Sequence, residues 1–246
     1  RPAAFALPVG MRSRSAPWIL LSPAGVVCVA LIVVPIVFLV FTSFTDYDQK
    51  TLFTGAFSLV GLEQYATVLT DAEFWWALLR TLWFTVAMVA GTVVIGMAVA
   101  QLMTRIGSVM RYLVTIALVV AWAMPNVASS QVWVWLFQPG YGVINWLLTQ
   151  LRVFGDLTNL NWAQDPVFAF ASIWMLVVWQ AVPFIALTLY AAQNQVSGEY
   201  LEAARLDGAG EWTIYWRVLL PALRPTLLLL IVLSIIWDFN VFNQIW

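Results

Sequence analysis

The chain has no histidine, so the commonest general base and metal ligand is missing from all 246 residues. Its one cysteine, Cys28, lies inside an apolar run, which excludes both a disulfide framework and a Cys-rich metal site. The sole lysine, Lys50, does not follow a glycine-rich loop, so the chain carries no Walker-type phosphate cradle. Charge is scarce too: 9% of residues are charged, against roughly 25% in an average soluble domain. The net charge of -1 gives no footprint for nucleic acid. An integral-membrane enzyme would need His, Cys or carboxylates clustered at one membrane face, and the sequence shows no such cluster.

Apolar residues make up 63% of the chain, more than a packed soluble core needs. Five charge-free apolar stretches stand out: Trp18–Phe44, Thr81–Thr104, Tyr112–Phe137, Pro166–Ala192 and Thr226–Trp246, the last interrupted only by Asp238. Each reaches the roughly 20 residues that a helix needs to cross a hydrocarbon core. None shows the two-residue alternation of a barrel strand, so the expected class is an all-α integral membrane protein. Arg12 and Arg14 precede the first stretch, which is too long for a signal-peptide core and is read as a membrane anchor.

Arginine placement predicts the orientation. With the N-terminus in the cytoplasm, the cytoplasmic segments hold eight basic residues: Arg1, Arg12, Arg14, Arg105, Arg111, Arg205, Arg217 and Arg224. The opposite side holds three, Lys50, Arg80 and Arg152. Residues 1–17 read as a Pro/Ala/Arg-rich cytoplasmic arm, and 18–246 as one transmembrane domain with a cytoplasmic loop at 197–221. On the outer side, residues 45–76 carry five carboxylates and end in Phe74-Trp75-Trp76, an interfacial cluster. Gln138–Gly142 reads as a turn and Val143–Leu151 as a short interfacial helix. Ala87-xxx-Gly91 and Gly96-xxx-Ala100 mark close helix packing in the second span.

In the loop, Ser197 is the expected N-cap of a short helix, with Glu199 and Glu202 near its positive end. Gly208 is its expected end, and a second segment, Glu211–Val218, leads to Pro221. Glu202-Ala203-Ala204, three residues that include Asp207, Gly208, nine residues and then Val218-Leu-Leu-Pro221 form one fixed pattern. It resembles the cytoplasmic loop motif of ABC-importer permeases, with Val218 in place of the family's Ile. Trp133-x-Trp-Leu-Phe-Gln-Pro-Gly-Tyr-Gly-Val-Ile-Asn145 resembles the maltose and glycerol-phosphate branch of that family. The composition is similar to that of actinobacterial trehalose importers.

The resemblance runs from about Ala16 to Trp246 and implies a six-helix permease core, with a sixth span expected beyond Trp246. It implies that Glu202, Ala203, Ala204, Asp207, Gly208 and Pro221 couple the chain to an ATPase, with the two alanines keeping the surface thin and Glu202 making the polar contact. On the residues alone, Glu202 pairing with Arg205 in a solvated loop is the plainer alternative, worth about a few tenths of a kcal/mol. The implied partners are a second homologous permease, two ATPase subunits that bind the ATP and Mg, an extracytoplasmic solute-binding protein or lipoprotein, and membrane lipid. The implied location is the bacterial inner membrane. No cofactor, metal or catalytic residue is expected in this chain.

Asp238 is the strongest polar signal within an apolar stretch, because an ionisable group at depth costs about 2.5–3.5 kcal/mol on insertion scales. It either faces a cavity or makes an interhelical pair. Ser234, Trp237, Asp238 and Val241 are spaced along one helical face. The run Ser234-Ile-Ile-Trp237-Asp238-Phe-Asn240-Val241 resembles the sugar-contact pattern of maltose-type permeases; Asp238 replaces the family's first Asn, and Val241 its last. Ala181 and Phe184 fall where such permeases touch sugar, while an asparagine of that pattern maps near Val177. Gln180 is either a sugar contact or a helix–helix hydrogen bond, and Asn240 has the same two readings. Pro125 and Pro183 are candidate kinks. The expected cargo is a disaccharide or oligosaccharide, trehalose or maltose-like; a glycerol-phosphate or polyamine permease is the alternative.

Overall fold

The computed structural model describes residues 16–152 and 155–241. The expected N-terminal arm lies outside them, save its last two residues, as does the expected fifth span beyond Val241. Among the described residues every regular element is helical, apart from one isolated bridge between Thr45 and Leu59. The chain divides into two compact units near Ala77.

In the first unit, α1 (Ala16–Cys28) passes through a wide π-helical turn (Val29–Val33) into α2 (Val34–Thr42). Together they supply an unbroken span, Leu20–Thr42. At the turn, the Val34 N–H reaches back five residues to Val29 O, directly before Pro35. A proline ring clashes with the carbonyl four residues earlier, and a widened turn relieves that contact. The segment that follows carries two short helices, α3 (Thr51–Thr54) and α4 (Glu63–Thr70). It is tied by Asp46, which accepts from Ser58 N (2.6 Å) and Ser58 Oγ (2.7 Å). These bonds, the backbone one first, hold the Asp46 carboxyl below its ordinary pKa.

The second unit contains the rest. α5 (Ala72–Arg105) starts before the boundary and runs 34 residues, nine earlier than expected, so it includes Phe74–Trp76. Its small residues let α9 (Pro166–Gln193) approach, as the spacing implied. A Cβ on Gly96 would stand 2.6 Å from Ile185 Cγ2, and one on Gly91 would collide with the Trp174 indole. The same indole donates to Ala87 O at 2.8 Å. Ala100, Ile185, Leu189 and, from the last helix, Leu230 form the buried apolar cluster. α5 is capped by Arg111, counted above as a topology marker. Its Nε and Nη2 donate to Met103 O and Ile106 O, each at 2.8 Å, and its guanidinium lies 5.7 Å from the Tyr190 ring centre. A cation at a helix C-terminus both satisfies orphan carbonyls and favours the dipole.

The third apolar stretch departs from the expectation of a single span. It forms α6 (Ser108–Ala123) and α7 (Asn126–Leu136), bent by 102° at Met124-Pro125. Both linking residues are extended, with ψ of 130° and 138°. That follows from proline, which disfavours helix at the preceding residue and has no N–H to donate. Pro183, the other candidate kink, sits within an uninterrupted α9 with its ring buried. Beyond α7, Gly142 makes the tight turn into α8 (Val143–Gln150), where a Cβ would meet three backbone atoms of Leu136 and Gln138. The connection from α8 to α9 is closed by fully buried Asn145, whose Nδ2 donates to Leu160 O (2.9 Å) and whose Oδ1 accepts from Trp162 Nε1 (2.6 Å).

After α9 come α10 (Gly198–Leu206) and α11 (Glu211–Ile214), then a second π turn (Tyr215–Leu219) and α12 (Leu220–Asp238). The last three make one continuous helix, Glu211–Asp238. The fifth span therefore begins fifteen residues before the expected Thr226, and Pro221 lies within the helix instead of opening a new one. The reason is the same as at Pro35: the Leu220 N–H reaches back to Tyr215 O, and the proline follows the widened turn. Replacing Gly91 by Leu should destabilise the α5–α9 contact by about 1–3 kcal/mol, the usual cost of overpacking. A lowered unfolding temperature of the purified protein in detergent checks this; an unchanged value would refute the close packing.

Candidate functional site

Two constellations follow from the sequence, and each has a definite geometry. The first is the loop at 197–221. Ser197 Oγ accepts from the Glu199 N–H at 3.3 Å, so α10 is capped as its sequence implied. At its other end, Gly208 N–H donates to Arg205 O and Ala209 N–H to Ala204 O, both at 3.0 Å. This pair of bonds is the Schellman arrangement, which requires a left-handed residue; Gly208 has φ 82°. Nothing lies within 4 Å of a Cβ added there, so the glycine is required by backbone conformation and not by crowding. Arg205 Nε bonds Glu211 Oε1 at 2.9 Å and joins the knob to the first turn of the long helix. Arg205 therefore reaches Glu211 in place of Glu202, the partner considered above.

Glu202, Ala203, Asp207, Gly208 and Pro221 are exposed, and Ala204 is half-buried. Two large apolar side chains on the same short helix, Tyr200 and Leu206, are 67% and 88% exposed. The motif thus sits on a projecting helix–turn–helix with an apolar, alanine-thinned surface and a free carboxylate.

The second constellation is an open cavity of about 390 Å³ lined by α6, α7, α9 and the end of α12. From α9 it is lined by Val177, Gln180, Ala181 and Phe184; from α12 and the residues after it, by Trp237, Asp238, Asn240 and Val241. Trp122 and Asn126, at the broken third span, complete it. Its volume is at the lower end of the roughly 300–1,000 Å³ typical of small-molecule pockets. Of the seven residues singled out for ligand contact, six line it. Ser234 is the exception, buried one turn earlier on the same helix (2% exposed). The expected single helical face does not extend to Val241, because α12 ends at Asp238.

The lining is aromatic on one side and polar on the other. Trp122 stacks near Phe184 (centroids 6.0 Å, 21°), and Phe184 meets Trp237 edge-on at 5.3 Å. Asp238 is 5% exposed, and its Oδ2 has no hydrogen-bond partner among the described residues. Gln180 Nε2 donates to Asn126 Oδ1 (2.7 Å) and Met124 O (3.2 Å), and Asn240 Nδ2 to Ile236 O (2.8 Å). Trp122 was not singled out from the sequence. With 15 tryptophans in the chain, periodicity alone cannot tell a cavity-lining indole from an interfacial one. Among the described residues no group of three His, Cys, Asp or Glu could hold a metal ion.

Residues 92–242 match the family described as "Binding-protein-dependent transport system inner membrane component". The chain is 38% identical over 244 residues to the diacetylchitobiose uptake system permease protein DasB of Streptomyces coelicolor, covering 96% of this chain and 74% of that protein. It is 30% identical over 238 residues to the trehalose transport system permease protein SugA of Mycobacterium tuberculosis, covering 96% and 73%. In fold it is similar to a chain of a bacterial ABC transporter involved in the import of the acidic polysaccharide alginate. That match has a TM-score of 0.74 at 17% identity and covers 92% of this chain and 73% of that one. Membrane-length helices, the helix–turn–helix loop and a cavity between apolar helices agree with these matches: the chain belongs to the inner-membrane permease family of binding-protein-dependent ABC importers.

Proposed function

We propose that this permease carries a carbohydrate, a disaccharide or short oligosaccharide, inward across the membrane. The cavity is the observation that carries this reading. Asp238 and Asn240 present acceptors to sugar hydroxyls, while the indoles of Trp122 and Trp237 and the ring of Phe184 offer faces to the C–H side of a pyranose. A buried carboxylate can accept from two adjacent hydroxyls and gains the strength of charge-assisted bonds. Relatives named for diacetylchitobiose and trehalose support the class. A polyamine is the second reading, because a carboxylate among aromatic faces also suits a flexible cation. A phosphate ester is disfavoured, since no Arg or Lys lines the cavity among the described residues.

In this reading the chain pairs with a second permease and two ATPase subunits, which bind ATP and Mg, and receives cargo from an external solute-binding protein. The N-terminus and the loop at 197–221 are cytoplasmic, as the arginine bias requires. Glu202, Ala203, Ala204 and Gly208 form the surface that docks on an ATPase, with Asp207 at its edge. Closure of the ATPases pushes the knobs together and rocks the helices until the cavity opens outward; hydrolysis resets it. This chain supplies coupling and half of the pathway, with no covalent chemistry.

Three outcomes are expected from uptake measurements in cells carrying the complete transporter. Glu202→Lys and Gly208→Asp should abolish sugar uptake and substrate-stimulated ATP hydrolysis while the protein still inserts, measured on membranes of equal permease content. Unimpaired hydrolysis would refute the coupling role. With a panel of labelled sugars and a polyamine, Asp238→Ala should lower uptake of the preferred sugar about tenfold or more, as expected for losing a charged hydrogen bond. Equal uptake by this variant would remove Asp238 from the site, and uptake of the polyamine alone would replace the sugar reading.

A further inference from the structure

Resting on the carbohydrate reading above, we infer that Asp238 sets the sign of charge of the cargo: the cavity takes neutral or amine-bearing sugars and rejects acidic ones. Asp238 is the one charged side chain among the described residues that line the cavity. It is 95% buried by its 5% exposure, and its Oδ2 faces no donor among the described residues. Two of the lining amides already donate within the protein. The amide nitrogen of Gln180 is committed to Met124 O and Asn126 Oδ1, and that of Asn240 to Ile236 O. Asp238 Oδ2 is therefore a buried acceptor left open on a cavity wall that holds no other charged group among the described residues.

An unpaired buried carboxylate is costly, and the cost is relieved by protonation or by something that brings donors or positive charge to it. Vicinal hydroxyls bring donors; a sugar ammonium brings three donors and a charge that the neighbouring faces of Trp122, Phe184 and Trp237 also favour. A uronate brings a second anion. Either the two carboxylates repel at short range, or one must be protonated, and each course opposes binding. Among the lining residues no guanidinium or ammonium is available to offset it.

The test uses the assembled transporter in lipid nanodiscs without its binding protein, so that selection upstream is removed. Equilibrium binding near neutral pH is measured for three disaccharides of one size: N,N'-diacetylchitobiose (neutral), chitobiose (two amines) and digalacturonate (two carboxylates). In the unaltered complex, digalacturonate should bind about tenfold or more weakly than the neutral sugar, since a like-charge contact is strongly unfavourable. Asp238→Asn should close most of that gap and remove any advantage of chitobiose; Asp238→Glu should keep both. An unaltered gap in Asp238→Asn, or equal binding of all three by the unaltered complex, overturns the inference while leaving the carbohydrate reading standing. A complex that binds none of the three overturns the reading and the inference with it. If Asp238→Asn no longer copurifies with the second permease while Asp238→Glu does, the carboxylate belongs to an ion pair between subunits, and the inference falls.

Discussion

The interaction on which the rest of this structure depends is a repair made inside an apolar segment. Pro125 breaks the third stretch, and the backbone around it loses helical partners. Gln180, from the middle of α9, donates to Met124 O and to the Asn126 side chain. An unsatisfied carbonyl in that setting costs about 1–3 kcal/mol or more, which is enough to forbid the bend without a partner. Once repaired, the bend carries α7 away at 102° and leaves a space between α6, α9 and α12. The cavity is a consequence of the break, and Gln180 stands at its wall because it mends the break.

α9 is the element that makes this possible. One helix holds α5 through Trp174 and Ile185, mends α6–α7 through Gln180, and meets α12 through Phe184. No face of it is left for charge, which is why it reads as continuously apolar apart from Gln180 and its last residues. Glycine and alanine in α5 allow the approach on one side; on another, the aromatic rings keep helices apart and leave volume between them. Close packing and open space are set by side-chain size along the same helix.

Much of this was legible in the sequence because it depends on local chemistry. Ser197 and Gly208 delimit the projecting helix through a cap and a left-handed turn, both of which follow from residue type alone. The small-residue pairs in α5 announce close contact, and Asp238 announces a polar interior. What was not legible depends on tertiary placement. Pro125 signals a break, but its angle is set by what α7 packs against. Arg111 reads as a topology marker, and only its distance to Met103 O and Ile106 O makes it a cap. The widened turns before Pro35 and Pro221 have no signature beyond the prolines themselves, so the long final helix was expected to start too late. Gln180 allowed two readings; it bridges helices, and from that position it also lines the cavity.

The final helix links the two constellations mechanically. From Glu211 to Asp238 it runs 28 residues, about 42 Å at 1.5 Å per residue. Its first turn is fastened to the knob by the Arg205–Glu211 pair, and its last residue is the buried carboxylate. That pair is exposed and by itself contributes little to stability. Its consequence is geometric: it ties α10 to the first turn of the helix that follows. The π turn and Pro221 lie between knob and span, where missing or displaced backbone bonds make a helix easiest to bend. Under the proposed coupling, a push on the knob would be delivered partly as bending at that turn and partly as displacement of the cavity wall. The division between the two depends on how stiff residues 215–221 are, so the same seven residues that accommodate a proline also set how much of the proposed stroke arrives at Asp238.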